Sequence, residues 1–221
     1  MRVCVIGTGY VGLVTGVCLS HIGHQVICVD NNAEKVKLMQ SGQSPIFEPG
    51  LSELMQSSME SGRLQFTSDL GAGVNHGDIL YIAVGTTPLP TRESATRYVE
   101  AVARGIGENL NGGYKVIVNK STVPIGSGDW VRMIVMDGIA ERQKVPVGAG
   151  APAALPEEPQ FDVVSNPEFL REGSAVSDTF NPDRIVLGGS NPKAIAMMKE
   201  LYEPIVERKY ADDGSLPQVP V

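Results

Sequence analysis

The sequence predicts a doubly wound α/β fold, in which helices cover both faces of a mainly parallel sheet. Three observations predict it. Short β-branched runs alternate with segments of helical period, a glycine-rich turn follows the first run directly, and an acidic residue ends the second. Composition agrees: of 221 residues 42% are hydrophobic, only 5% are aromatic, and 25 are Gly. A chain of this length buries one large core, or one core and the start of a second.

Residues 2–6 (RVCVI) form the first strand, stopped by Gly7. Residues 11–21 continue as a helix, with Gly23 placed to end it. Residues 25–30 (QVICVD) give a second strand and 33–40 a helix. A Pro/Gly-punctuated loop, SGQSPIFEPG, leads to a polar helix over 51–60. A weak strand over 64–67 precedes a strong one over 79–84 (ILYIAV). A helix over 96–110, a strand over 116–119 and a long helix over 126–142 follow. Residues 143–160 break the alternation, because Pro, Ala and Gly without a period mark a mobile surface insertion. Strands resume over 161–165 and 184–187, and a last helix over 192–206 starts at Pro192, a residue suited to a first helical turn. Parallel strands joined by helices imply right-handed crossovers, and hence one Rossmann-like domain over 1–206 with a linker over 207–221.

The formal net charge of −7 and the lack of a basic run argue against a nucleic-acid partner. No stretch approaches the roughly 18 apolar residues that a membrane span needs. The N-terminus runs straight into a strand rather than reading as a signal peptide, so the expected compartment is the cytoplasm. Cys4, Cys18 and Cys28 sit in apolar contexts without metal-ligand spacing and read as core residues, so no metal site is expected. His21 and His24, which flank Gly23, read as structural.

Gly7-Thr8-Gly9-Tyr10-Val11-Gly12 lies between the first strand and the first helix. There G-x-G-x-x-G has a physical reading. The first Gly permits the turn, the second lets backbone approach a pyrophosphate, and the third lets helix and strand pack closely. The helix N-terminus then offers N–H groups and a positive dipole end to the phosphates. Asp30, at the end of the second strand, is placed to accept both ribose hydroxyls of a dinucleotide. Asn31 and Asn32 supply no cation for a 2′-phosphate, so the cofactor is NAD rather than NADP. The loops GTTP, with Thr86, and KSTVP, with Ser121 and Thr122, follow strands and fall on the ligand-binding edge of such a sheet. Either alone reads equally as an ordinary Thr/Pro loop.

GTGYVGLVTG, IFEPGL, VGTTPLP, KSTVPIG, SNPEFLREGSAV and NPDRIVLGG occur along nearly the whole chain. In that order they resemble the UDP-glucose 6-dehydrogenases, within the UDP-glucose/GDP-mannose dehydrogenase family. The resemblance implies oxidation of a nucleotide sugar's primary alcohol to a carboxylate by two NAD+, through a cysteine thioester. It implies cofactor contacts at Gly7, Gly9, Tyr10, Val11, Gly12, Asp30, Lys35, Thr86, Ser121 and Thr122. Thr122 would hold water or an oxyanion, Glu168 would be the acid/base, and Glu172 would sit beside the sugar. Glu168, Phe169, Leu170, Arg171 and Glu172 would line the sugar pocket. By spacing alone, Glu168 and Glu172 share a helix face and read as a solvated pair. Lys35 reads equally as a solvated helix Lys, and Arg184 as a strand-flanking ion-pair partner.

Two positions depart from the family pattern. Arg92 replaces a usual Gly, which strains a turn wanting positive φ, and Ala95 removes an N-cap from the helix expected near Thr96. The family's Gly-rich cysteine motif and its substrate-binding Lys and Asn are absent, so an N-terminal fragment, inactive alone, is expected. The full-length enzyme is expected to be a homodimer acting on UDP-glucose. Alternatives are GDP-mannose or a UDP-N-acetylhexosamine as substrate, or a non-catalytic NAD-binding module.

Overall fold

Strand β1 (Arg2–Ile6) buries every residue after Arg2, and a strand buried along its length has to be covered on both faces. The computed structural model, which describes residues 1–85, 93–121, 127–143 and 160–208, shows how. Strands β2 (Gln25–Val29), β3 (Leu64–Thr67), β4 (Ile79–Ile82), β5 (Tyr114–Asn119) and β6 (Gln160–Ser165) join β1 in a sheet of order β3-β2-β1-β4-β5-β6. Every pairing is parallel, with Val3 beside both Val26 and Ile79.

Helices α1 (Tyr10–His21), α2 (Ala33–Gln40), α3 (Leu51–Glu60), α7 (Ala175–Phe180) and α8 (Pro192–Val206) cover one face. Helices α4 (Leu70–His76), α5 (Glu93–Asn109) and α6 (Ser127–Gln143) cover the other. Leu13, Val17, Met39 and Met55 meet Val3, Val5 and Tyr81 in the first core. Val74, Ile106 and Val135 meet Cys4, Leu80 and Ile117 in the second. The doubly wound prediction therefore holds.

Differences are local and have identifiable causes. The strand expected over 184–187 is absent. β6 stops at Ser165, and Asn166-Pro167 turns away, leaving a single antiparallel bridge from Ser165 to Gly188. Helix α4 was not expected, because Gly71 and Gly73 depress its helix propensity. Asp69 caps it, accepting from the Ala72 N–H at 3.0 Å, and Gly73 lets it lie against Val29 and Cys4. Helix α5 begins at Glu93, so Ala95 sits in its first turn rather than at its cap. Arg92 lies outside the described residues, as do residues 144–159 of the insertion expected over 143–160, whose ends belong to α6 and β6. Gly23, at φ 106°, ends α1 as expected.

All three cysteines are buried and unpaired. His21 packs edge-on against Phe180, and the ring of His24 bonds the Leu201 carbonyl at 2.8 Å, which makes both structural. Helices α5 and α6 meet most closely at Gly107 and Gly138. A Cβ at Gly107 would overlap the Val135 carbonyl and lie 3.0 Å from the Gly138 Cα. Gly128, by contrast, faces open space within α6. Gly107→Ala is expected to cost about 2 kcal/mol or more in urea unfolding, as overpacking does. Gly128→Ala should stabilise by up to about 1 kcal/mol through helix propensity. Equal midpoints for the two variants would contradict this packing.

Candidate functional site

β1 and β4 are neighbours whose following helices cover opposite faces, so a crevice opens at their carboxyl ends. The glycine turn fills its floor. Gly7 has φ 97°, and a Cβ there would lie 2.8 Å from the Ala83 carbonyl oxygen. A Cβ at Gly12 would overlap the Gly7 carbonyl. Around Gly9 there is nothing within 4 Å of a Cβ position, so backbone is bared on the open side. Gly9 is also the N-cap of α1 and supplies no side chain, which leaves the first N–H groups, those of Tyr10, Val11 and Gly12, without a side-chain partner. This is an anion cradle that fits a pyrophosphate.

Asp30 follows β2 on the same edge, and its carboxylate is already engaged. Oδ2 accepts the Thr8 N–H at 3.0 Å, the Thr8 hydroxyl and the Lys35 ammonium at 3.0 Å, while Oδ1 accepts the Asn32 N–H at 3.0 Å. Burial pushes its pKa up, but these bonds outweigh it and hold the carboxyl below its ordinary value. A carboxylate has about four lone-pair sites. Oδ1 therefore has room for one ribose hydroxyl, whereas a second must displace Lys35. Lys35 is thus not a solvated helix lysine: it neutralises Asp30 in the absence of ligand.

The second half of the edge follows β5 and β6. Ser121 donates to the Val84 carbonyl at 2.8 Å, tying the ends of β5 and β4 together. Thr86 and Thr122 lie outside the described residues. The Glu168–Glu172 segment is not helical, contrary to the spacing argument. Pro167 cannot donate a helical bond, the Glu168 carboxylate accepts the Leu170 N–H at 2.6 Å, and Gly173 has φ 86°. The two carboxylates consequently part. Glu168 lines a cavity of about 480 Å³ with Lys120, Asn166, Phe169, Leu170 and Arg184. Glu172 is not among the lining residues and lies instead near Tyr10, whose hydroxyl pKa it helps to raise behind the larger effects of burial and Glu48. Arg171 reaches the rim but is bound to Asp178 at 2.6 Å, which drives that carboxyl down to about 2. The Arg184 guanidinium stacks 5.1 Å from the ring centre of Phe169, which is 53% exposed. Arg184 is therefore a cavity residue.

Sequence reasoning missed Lys120, Asn166 and Glu48 as site residues. Lys120 is buried, and its ammonium has one hydrogen-bond partner among the described residues, Asn166 Oδ1 at 3.3 Å. That oxygen also accepts the Tyr202 hydroxyl at 2.6 Å, which in turn accepts the Tyr81 hydroxyl at 3.0 Å. A lysine directly after the run VIVN, before Ser-Thr, was the available signal for this chain of groups. For Glu48 the signal was its place in the run IFEPGL, but only the tertiary fold brings it to Tyr10.

A model of the UDP-glucose/GDP-mannose dehydrogenase family's NAD-binding domain matches residues 1–206. UDP-glucose 6-dehydrogenase TuaD of Bacillus subtilis is 48% identical over 203 residues, covering 92% of this chain and 40% of the relative. The UDP-glucose 6-dehydrogenase of Rhizobium meliloti is 46% identical over 211 residues, covering 93% and 44%. Among solved structures, a UDP-glucose dehydrogenase from Pyrobaculum islandicum matches with TM-score 0.80 at 35% identity. A GDP-mannose dehydrogenase from Pseudomonas aeruginosa matches with TM-score 0.78 at 32% identity. Both matches cover 100% of this chain and 46% of the other. The chain thus spans less than half the length of these relatives.

Burial lowers the Lys120 pKa from 10.5 to about 8, with Glu168 opposing the shift. Below about pH 8 both folded and unfolded chains hold the proton, and the cost of the buried charge is complete. Between there and 10.5 only the unfolded chain holds it, so stability rises with pH. Urea unfolding of the chain and of Lys120→Met is expected to show their stability difference shifting by about 3 kcal/mol in favour of the unaltered chain across that window. A difference independent of pH would contradict the burial of a titrating ammonium.

Proposed function

The chain belongs to the UDP-glucose/GDP-mannose dehydrogenase family as its NAD-binding domain, and from that premise we propose that it serves an enzyme oxidising UDP-glucose to UDP-glucuronate with two NAD+. The observation that carries this reading is the pairing of two halves on one sheet edge. The glycine cradle and Asp30 lie on one side, and the cavity holding Glu168 and Lys120 lies on the other. Relatives named for UDP-glucose, at 48% and 46% identity, support the choice of sugar.

NAD+, when bound, accepts hydride from the sugar's alcohol carbon. The chain's own residues hold and orient. Backbone at Gly7, Gly9, Tyr10, Val11 and Gly12 would hold the pyrophosphate, and Asp30 Oδ1 would take one ribose hydroxyl, a second displacing Lys35. Ser121, Thr122 and Thr86 are assigned to the cofactor by the family resemblance of the KSTVP and GTTP loops. Phe169 and Leu170 line the sugar pocket, with Arg171 at its rim, and Glu172, which the family resemblance assigns to the sugar, stands outside the cavity towards Tyr10. Glu168 is the group that holds and moves a proton within the cavity.

A thiolate nucleophile does not come from Cys18 or Cys28, whose pKa values burial pushes up to about 12, or from Cys4, which burial raises further. The oxidation is therefore assigned to a longer protein, in which the nucleophile lies outside these 221 residues. We place that protein in the cytoplasm as a homodimer. The unpaired, buried cysteines suit a reducing compartment, and the dimer follows the family resemblance.

Calorimetry tests the cofactor half. NAD+ is expected to bind at least about tenfold more tightly than NADP+, because a hydrogen bond to a charged group contributes about 1.5–3 kcal/mol. Asp30→Ala should weaken NAD+ by a similar factor and close the gap. Equal affinities in the unaltered chain would contradict the assignment of Asp30. UDP-glucose with NAD+ should give no NADH from this chain alone, and measurable NADH would overturn the assignment of the nucleophile elsewhere.

A further inference from the structure

Glu48 belongs to neither half of the site, yet its buried carboxylate touches both. One oxygen, Oε2, accepts the Tyr10 hydroxyl and the Gly173 N–H at 2.9 Å, and Oε1 accepts the Val176 N–H at 3.4 Å. The Tyr10 hydroxyl accepts from the same Gly173 N–H at 3.0 Å. Among the described residues no cation pairs with Glu48. An unpaired buried carboxylate is ordinarily costly. Burial does push this one toward neutrality, but the tyrosine hydroxyl and backbone N–H groups outweigh it and keep the pKa below its ordinary value. The charge is thus held by donors from two separate segments, the Tyr10 hydroxyl on one side and backbone N–H groups of residues 173–176 on the other.

The position of those segments gives the carboxylate its consequence. Tyr10 is the first residue of α1, directly after Gly9 in the phosphate cradle. Gly173 directly follows Glu172, and its φ of 86° closes the segment that carries Glu168. Helix α3, preceded by Gly50 at φ 79°, anchors Glu48 from behind, with the Leu51 N–H donating to the Glu48 carbonyl at 3.1 Å.

We propose that Glu48 and Tyr10 are a positioning pair that couples cofactor binding in the Gly7–Gly12 turn to the placement of the Glu168–Glu172 segment. This rests on the reading of that turn as the NAD site. A ligand that fixes the head of α1 fixes the Tyr10 hydroxyl, and with it the Gly173 turn. By linkage, a sugar that orders the Gly173 turn favours the cofactor in equal measure.

Amide hydrogen exchange over residues 168–176 tests this in the 221-residue chain, with and without saturating NAD+. The proteins compared are the unaltered chain, Glu48→Gln and Tyr10→Phe. NAD+ is expected to slow exchange there at least about fivefold in the unaltered chain, the low end of ordinary site–site coupling. In both variants that ratio should fall towards one. A merely structural role would speed exchange equally with and without NAD+, leaving the ratio intact, and that result overturns the proposal. Should Glu48→Gln fail to fold, Tyr10→Phe decides alone. Tight NAD+ binding to the unaltered chain with no change over 168–176 overturns the coupling only. No NAD+ binding at all overturns the reading of the turn, and the coupling with it.

Discussion

Position 7 lies so close to the end of β4 that a Cβ there would crowd the Ala83 carbonyl at 2.8 Å, and Gly7 alone satisfies that approach with φ 97°. From this contact the geometry of the site follows. The chain turns directly out of β1, and α1 starts over the crevice between β1 and β4 with its N–H groups towards solvent. Gly12 then lets the helix lie against its own turn. A larger residue at either position would lift α1 away from the sheet. The first core, from Leu13 to Met55, and the placing of Tyr10 would go with it.

Several charges of the described part of the edge are held by partners of their own. Asp30 is balanced by Lys35, Arg171 by Asp178, and Glu48 by a hydroxyl and backbone N–H groups. Lys120 is the exception. Its ammonium is buried with one long hydrogen bond, beside a cavity that also holds Glu168. A dinucleotide has to exchange partners at Asp30 only to bring a second ribose hydroxyl onto it, whereas the cavity already presents a cation in want of an oxygen. This asymmetry matches a cofactor that comes and goes and a pocket that orients what it holds.

Much of this was legible in the sequence, because strand runs and the glycine turn are local patterns with local causes. The succession of strands and helices along the chain, the two-faced core and the helices from Ala33, Leu51 and Pro192 follow from periodicity and punctuation. Helix α4 was hidden by its two glycines, whose purpose is close packing on Cys4 and Val29 and so appears only in the fold. The pairing of Glu168 with Glu172 on a helix face failed because Pro167 and Gly173 set the local backbone, which a spacing rule does not weigh. The role of Glu48, within the family-like run IFEPGL, was illegible for a different reason. Its partners lie 38 and 125 residues away, and its own neighbours in sequence carry no periodic signal.

The central claim is that the cradle bared at Gly9 is an NAD site, and the most direct measurement is a crystal structure of this chain grown with NAD+. The account predicts pyrophosphate density over Gly9, within hydrogen-bond reach of the N–H groups that begin α1, and a ribose hydroxyl on Asp30 Oδ1. A dinucleotide seated elsewhere on the sheet, with Lys35 still on Asp30 and nothing over Gly9, would contradict it.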